Sequence, residues 1–167
     1  VLVVEAPDDS ASRSTVPALE TFAEAAGLRA RRAVIGFAND TQQAIALLYD
    51  PDVLTARHDP QASAEAPRFD ARFSIDLDID ATSDDVVFSK PPLELALETA
   101  NGTALRLIGA HLKSKAPHGA KTRDAAMRIS IANRRKQLAQ AIWLRRRIAD
   151  HLAAGDAWMV LGDLNAG

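Results

Sequence analysis

Cysteine is absent from the chain, which excludes disulfides and thiolate metal sites and leaves the redox compartment open. A strong charge of either sign is missing too. At −2, the net charge gives no global pull toward nucleic acid, so any such binding needs a local basic face. No apolar run reaches the ~18 residues that span a membrane. No secretory signal is visible, because the chain opens directly on Val1-Leu-Val-Val4. Internal repeats, a Gly-rich phosphate loop and a zinc HExxH are all lacking. Gly162-Asp163 does not fit GxSxG, which removes the nucleophile-elbow hydrolases. What remains suffices for a core: 47% hydrophobic and 25% charged residues over 167 positions describe one globular domain or part of one.

Val1 to Val4 read as a buried strand with Glu5 at its exit. Ala6 to Ser14 is loop by composition. The spacing of Val16, Leu19, Phe22, Ala23 and Ala26 predicts a helix over about Thr15–Ala26, with Pro17 in its first turn and Gly27 past its end. Arg29 to Phe37 and Gln42 to Tyr49 read as strands joined by an Asn39-Asp40 turn, an antiparallel hairpin. Gln42 and Gln43 either face a ligand or mark a polar strand edge, and the edge is preferred. Residues 56–68 read as a surface loop, with His58-Asp59 as a solvated pair. Phe69 to Asp80 alternates Phe73, Ile75, Leu77 and Ile79 against Asp76, Asp78 and Asp80, the pattern of a half-buried strand. An EF-hand loop starting at Asp76 would need Gly sixth and Glu twelfth, where Ala81 and Val87 stand. The acid row is therefore a wet face that discourages edge pairing.

Val86 to Phe88 is short and apolar, and Ser89-Lys-Pro-Pro92 breaks it. Leu93 to Thr99 and Thr103 to Leu112 form a hairpin across Ala100-Asn-Gly102, where Asn-Gly accepts positive φ at both positions. A long helix is predicted over about Asp124–Ala153. Its buried stripe is Leu138, Ala141, Ile142, Ile148, Ala149 and Leu152, and Arg145 to Arg147 are solvated.

Three stretches carry candidate chemistry. Trp158 to Leu161 is an apolar run closed by Gly162, and Asp163 and Asn165 follow at its carboxyl end, where α/β sheets place ligands. If extended geometry persists the two side chains point the same way, a carboxylate and an amide suited to a cation and a phosphate oxygen. The alternative is an Asx-rich turn. His111 and Lys113 share a face at the end of the preceding hairpin strand. Lys can supply charge to a phosphate, and His a proton to its leaving oxygen. The alternative is a surface His beside solvated Lys. Glu5 is either a metal carboxylate or the solvated start of a loop. Arg128 and Arg134, near the start of the long helix, are candidates for a basic lip.

Taken in order, these pieces resemble a known family. They are Glu5 after an apolar strand, His111-Leu-Lys-Ser-Lys115 after a hairpin strand, a helix with Asn133-Arg-Arg-Lys-Gln-Leu-Ala-Gln140, and Val160-Leu-Gly-Asp-Leu-Asn165. The family is the endonuclease/exonuclease/phosphatase superfamily, metal-dependent phosphohydrolases similar to deoxyribonuclease I. The resemblance covers nearly the whole chain, and the joint order is more specific than any single piece. It implies an α/β fold of the α+β type: a four-layer sandwich of two mixed, mostly antiparallel sheets flanked by helices, incomplete at both ends. It implies divalent-metal-dependent hydrolysis of phosphodiesters, with nucleic acid as the expected substrate and Mg²⁺, or else Mn²⁺ or Ca²⁺, as cofactor. By resemblance Glu5 and Asp163 serve the metal, Asp163 also aligns or deprotonates the attacking water, Asn165 holds the phosphate, and His111 is the phosphate-proximal histidine. Phosphate contacts from Lys113, Arg128 and Arg134 complete the expected set. A phosphatase or lipid phosphodiesterase on the same scaffold, and a non-catalytic binding module, are the alternatives. The family's Asn-bearing first strand and its carboxyl-terminal Asp-His pair have no counterpart here. The 167 residues alone are therefore expected to show little or no activity, while the parent protein is expected to be the enzyme.

Overall fold

The computed structural model describes residues 1–7, 14–39, 41, 43–77 and 82–166. The loop over 8–13, Asp40 of the first hairpin turn, Gln42, and positions 78–81 with Asp78 and Asp80 of the acid row lie outside the described residues. The described chain is α+β.

The first sheet has the order β1-β3-β2, built from β1 (Leu2–Pro7), β2 (Arg32–Ile35) and β3 (Gln43–Tyr49). The predicted hairpin forms, with Arg32 opposite Tyr49 and Ile35 opposite Ala46. Helix α1 (Thr15–Ala25) covers one face of this sheet, where Leu19 and Ala23 meet Ala6, Ala44, Ala46 and Leu48. Phe22, expected in its buried stripe, is exposed instead. The Thr15 hydroxyl donates to the Pro7 carbonyl. That contact turns Thr15, Leu19 and Ala23 inward at a spacing of i, i+4, i+8, and Phe22 falls off the line.

The second sheet has the order β4-β7-β8-β9, from β4 (Leu54–His58), β7 (Leu93–Thr99), β8 (Ala104–His111) and β9 (Trp158–Asp163). Its pairs are antiparallel except β8 with β9, which run parallel. β5 (Phe73–Ile75) and β6 (Asp84–Val86) form a separate two-stranded ribbon. Two expectations need correction here. Ala56, Arg57 and His58 belong to an edge strand and not to a loop, because β7 supplies them with a hydrogen-bonding partner. The strand expected from Phe69 contracts to Phe73–Ile75, and Phe69 enters the core from a turn. The β7–β8 hairpin forms as predicted, though its turn differs. Gly102 alone has positive φ (+81°), and its N–H closes the turn on Thr99 O at 2.8 Å.

The two sheets share a core of Ile45 and Leu47 from one side and Leu93, Leu95, Leu97 and Leu107 from the other. Gly109 lets them approach, since a Cβ there would sit 2.7 Å from Leu2 Cδ1. The opposite face of β8 (Ile108, Ala110) receives helix α2 (Arg123–Ala154) through Trp143 and Leu144, together with Phe69, Phe73 and Phe88. Trp143 stacks on Phe73 with ring centroids 5.1 Å apart, and its Nε1 donates to Pro67 O at 2.8 Å. The helix is capped at one end by Thr122, whose hydroxyl accepts from Ala125 N at 3.1 Å, and at the other by left-handed Gly155.

The buried face of α2 is not the expected stripe. Leu138 and Leu152 are more than half exposed and Ala149 is exposed, while Ala139, Gln140, Trp143, Leu144, Arg147 and His151 are buried. Trp143, the widest apolar side chain, sets the roll of the helix, and Arg147 follows it inward. Arg147 Nε lies 3.3 Å from an oxygen of Glu94, which is fully buried on β7. Its terminal nitrogens donate to Gln61 O and Ala66 O at 2.7 Å each and to Asp150 Oδ2 at 3.0 Å. His151 sits between Glu94 Oε1 at 3.1 Å and Asp156 Oδ2 at 2.8 Å. Buried charge is tolerated when it is paired and hydrogen-bonded in this way.

His58 and Asp59 are not a solvated pair either. His58 packs edge-on against Phe37 at 4.7 Å, and burial, with Arg68 nearby, pushes its pKa down. Asp59 binds Arg106 and Arg57, which hold its carboxyl below the usual range. At the other end of the sheets, β1 and β9 lie near each other as unpaired edges. Met159 and Leu161 share the faces of Leu107 and Gly109, yet both are exposed. Among the described residues, no helix is long and apolar enough to cross a membrane.

Candidate functional site

The carboxyl end of β8 gathers side chains from four separate segments. Parallel pairing sets His111 opposite Asp163, so both side chains leave the sheet on one face. Gly162 makes this pairing possible. It has φ +136°, and a Cβ there would lie 1.8 Å from Ala110 O. Glu5 arrives from β1, and Lys90 from the Ser89-Lys-Pro-Pro92 segment before β7.

Lys90 Nζ donates to Glu5 Oε1 at 2.7 Å and lies 3.4 Å from His111 Nδ1. His111 Nδ1 also lies 3.3 Å from Val4 O and 3.9 Å from Glu5 Oε1. An ammonium can only donate and a carbonyl can only accept, so a neutral imidazole serves one of these two neighbours at a time. The Lys90 hydrogen bond and charge hold the Glu5 carboxyl below its ordinary pKa, and His111 adds to that. Desolvation and the negative charge of Asp163 pull the other way. Asp163 is therefore close enough to act electrostatically on Glu5.

These groups face a cleft of about 300 Å³, lined among others by Glu5, Gln43, Ser89, Lys90, His111 and Lys113. Buried Gln140 of α2 steadies its floor. Its Oε1 accepts from Lys113 N at 2.8 Å, and its Nε2 donates to Val87 O at 3.4 Å. Lys136 lines a separate cavity with Asp84, Asp85 and Arg135. Its pKa is pushed down, first by burial and then by the charge of Lys113.

Asp163 and Asn165 adopt the Asx turn that was the plain alternative for them, and they do so beside the cleft. Asp163 Oδ1 accepts from Asn165 N at 2.9 Å, and Asn165, with φ +51°, donates its side-chain amide to Leu112 O at 2.8 Å. Gln137 donates to the carbonyls of Leu164 and Asn165 at 2.9 and 2.7 Å. Neither Asp163 nor Asn165 lines the cleft itself. Arg134 lines a different, largely apolar groove of about 390 Å³ with Leu112, Leu138 and Leu164. Arg128 is exposed on α2 and does not line the cleft.

Glu5, His111 and Lys113 are thus brought together, with Asp163 alongside, while Arg128 and Arg134 stand apart. Lys90 was missed by sequence reasoning, Gln140 was noted only as part of the long helix, and Gln43 was read as simple edge polarity. The only signal for Lys90 was a cation held in a Pro-stiffened segment, which says nothing until β1 lies beside β8. Among the described residues, no group of three or more His, Asp or Glu side chains is arranged to hold a metal ion. Glu5 is already paired with an ammonium, so the donor set as arranged does not fit a resident divalent cation. In comparisons with known proteins, no family model, curated protein or solved structure matches the chain.

Proposed function

We propose that the chain serves hydrolysis of phosphodiester bonds, as a nuclease of the endonuclease/exonuclease/phosphatase type. One observation carries this reading. Glu5, His111 and Lys113, far apart in sequence and singled out by the resemblance, line one cleft, with Asp163 paired to His111 across β8 and β9. The succession of α1, first sheet, second sheet and α2, joined by three cores, supports the four-layer sandwich that the superfamily implies.

In the proposed reaction Lys113 and Lys90 draw the anionic phosphate into the cleft. His111, whose Nδ1 faces Val4 O and Lys90, gives a proton from Nε2 to the leaving oxygen. Asp163 aligns the attacking water and takes the proton it gives up as its oxygen bonds to phosphorus. The resemblance implies Mg²⁺, or Mn²⁺ or Ca²⁺ in its place, but with Glu5 paired to Lys90 no step of the proposed reaction runs through a metal ion.

A second reading, a phosphodiesterase acting on lipid, is favoured by the apolar groove that shares Leu112 with the cleft. The test, in the full-length parent protein, is cleavage of supercoiled DNA, RNA, a phospholipid and bis(4-nitrophenyl) phosphate, with and without Mg²⁺. The first reading expects nucleic acid to be preferred and His111→Ala to lose about 10²–10⁴-fold in rate. Equal rates in wild type, His111→Ala and Asp163→Asn would contradict both readings.

A further inference from the structure

Lys90 is the side chain of the cleft that the resemblance leaves without a role. Its backbone is held by the two prolines that follow: a residue before proline is confined to extended conformations, and Pro92 is fully buried. Glu5 Oε1 accepts one N–H of its ammonium at 2.7 Å, and the ammonium lies 3.4 Å from His111 Nδ1. The same ring nitrogen lies 3.3 Å from Val4 O. Nδ1 thus stands between a group that can only donate and one that can only accept. These two neighbours match the two neutral tautomers of one ring. With the proton on Nε2, Nδ1 accepts from Lys90. With the proton on Nδ1, it donates to Val4 O. An acid that hands over its Nε2 proton passes from the first tautomer to the second, provided that Nδ1 gains a proton as Nε2 loses one.

We propose that Lys90 is a positioning residue that acts through His111: it sets the ring in the Nε2–H tautomer and resupplies it with a proton at Nδ1 as Nε2–H protonates the leaving oxygen. The inference rests on the role given to His111 above and names the source of its proton. The phosphorus–oxygen bond breaks with its electron pair on the leaving oxygen, which bonds the Nε2 proton. The Nζ–H bond of Lys90 breaks as Nδ1–H forms. The ring stays neutral and ends with Nδ1–H facing Val4 O. Lys90, whose side chain is 16% exposed, is left as a neutral amine, and exchange with water restores both the ammonium and the first tautomer.

The experiment compares two phosphodiesters in the full-length parent protein. Supercoiled DNA expels a sugar alkoxide, which needs a proton, and bis(4-nitrophenyl) phosphate expels a nitrophenolate, which does not. The variants are Lys90→Met, Lys90→Arg and His111→Ala, and thermal melting confirms that each is folded. Lys90→Met should lose about 10²-fold in DNA cleavage, the scale of general-acid catalysis, and much less with the nitrophenyl ester. Lys90→Arg keeps the charge, but a guanidinium does not give up its proton, so it should recover the rate on the ester and not on DNA. Nitrogen-15 shifts of the His111 ring, at a pH where it is neutral, should report Nε2–H in wild type and Nδ1–H in Lys90→Met. Equal losses on both substrates in Lys90→Met, DNA cleavage recovered by Lys90→Arg, or a wild-type ring protonated at Nδ1 would each overturn the relay. If His111→Ala still loses DNA cleavage, the phosphohydrolase reading then stands without it. DNA cleavage unaffected by His111→Ala would overturn the relay and that reading together.

Discussion

Two groups of side chains in this molecule have nearly the same composition. Glu94, Arg147, His151 and Asp156 form one, and Glu5, Lys90, His111 and Asp163 form the other. Glu94, Arg147 and His151 of the first are buried between β7 and α2, and Arg147 donates to Gln61 O and Ala66 O. It holds the segment around Gln61 to Ala66 against the second sheet and has little freedom to exchange partners. The second opens on a cleft, its carboxylate is half exposed, and its imidazole lies between a donor and an acceptor. A carboxylate, a cation and a histidine therefore do not define a reactive site by type. Access and unspent bonding capacity do.

Truncation should separate the two groups most sharply. Glu94→Ala removes the one fully buried carboxylate, shared by Arg147 and His151, leaving Arg147 only the part-exposed Asp150, and is expected to cost about 3 kcal/mol, measured by denaturant unfolding. Glu5→Ala, in the open group, should leave the unfolding midpoint near that of wild type. Similar losses from both would erase the distinction.

A smaller effect tests the strand pairing beneath the open group. Gly162 and Gly102 both have positive φ, but only a side chain at Gly162 meets backbone. Gly162→Ala should cost about 1–3 kcal/mol from strain alone, and more with the clash. Gly102→Ala should cost less. A reversed order in thermal melts would show that β9 does not lie against β8 as described.

Acid should act at a third place, on edge strand β4. The folded-state pKa of His58 lies below its ordinary 6.5, so the fold favours the neutral ring. Stability from this site is complete above 6.5 and is lost as pH falls through 6.5 toward the lowered value. Wild type should therefore lose ground to His58→Leu between pH 8 and pH 5 in parallel denaturant titrations. A constant difference would place His58 in water.

The smallest expected effect is local to the cleft. Lys90→Gln removes the largest cause of the low Glu5 pKa, leaving desolvation and then the Asp163 charge to raise it against the smaller lowering effect of His111. A carboxyl carbon titration by NMR should move Glu5 back to or above the ordinary carboxylate range. No movement would mean that the ion pair does not persist in solution.

Local chemistry made part of this fold readable. The β7–β8 hairpin follows from alternation around Asn101-Gly102, and α2 is bracketed by Thr122 and Gly155 within a residue of its predicted ends. The roll of α2 was not readable, because a buried Arg147 makes sense only once Glu94 of a distant strand is opposite it. β4 was hidden because Thr55 and Arg57 interrupt its apolar signal and only pairing with β7 makes it a strand. In the cleft, His111, Lys113 and Glu5 were legible from their places at strand ends. Lys90 was not, since its meaning arises from a contact between β1 and a loop that precedes β7. Arg128 and Arg134 were chosen for nearness along the chain to the His111 loop, and the direction of α2 carries them away from the cleft.

The most direct test sets the two histidines against each other. Cleavage of supercoiled DNA, with and without Mg²⁺, and thermal melting would be measured in the full-length parent protein for wild type, His111→Ala and His151→Ala. His111→Ala should keep the wild-type melting temperature and lose about 10²-fold or more in cleavage. His151→Ala should melt lower and, below its transition, cleave at the wild-type rate. Wild-type cleavage by His111→Ala would contradict the assignment of the cleft.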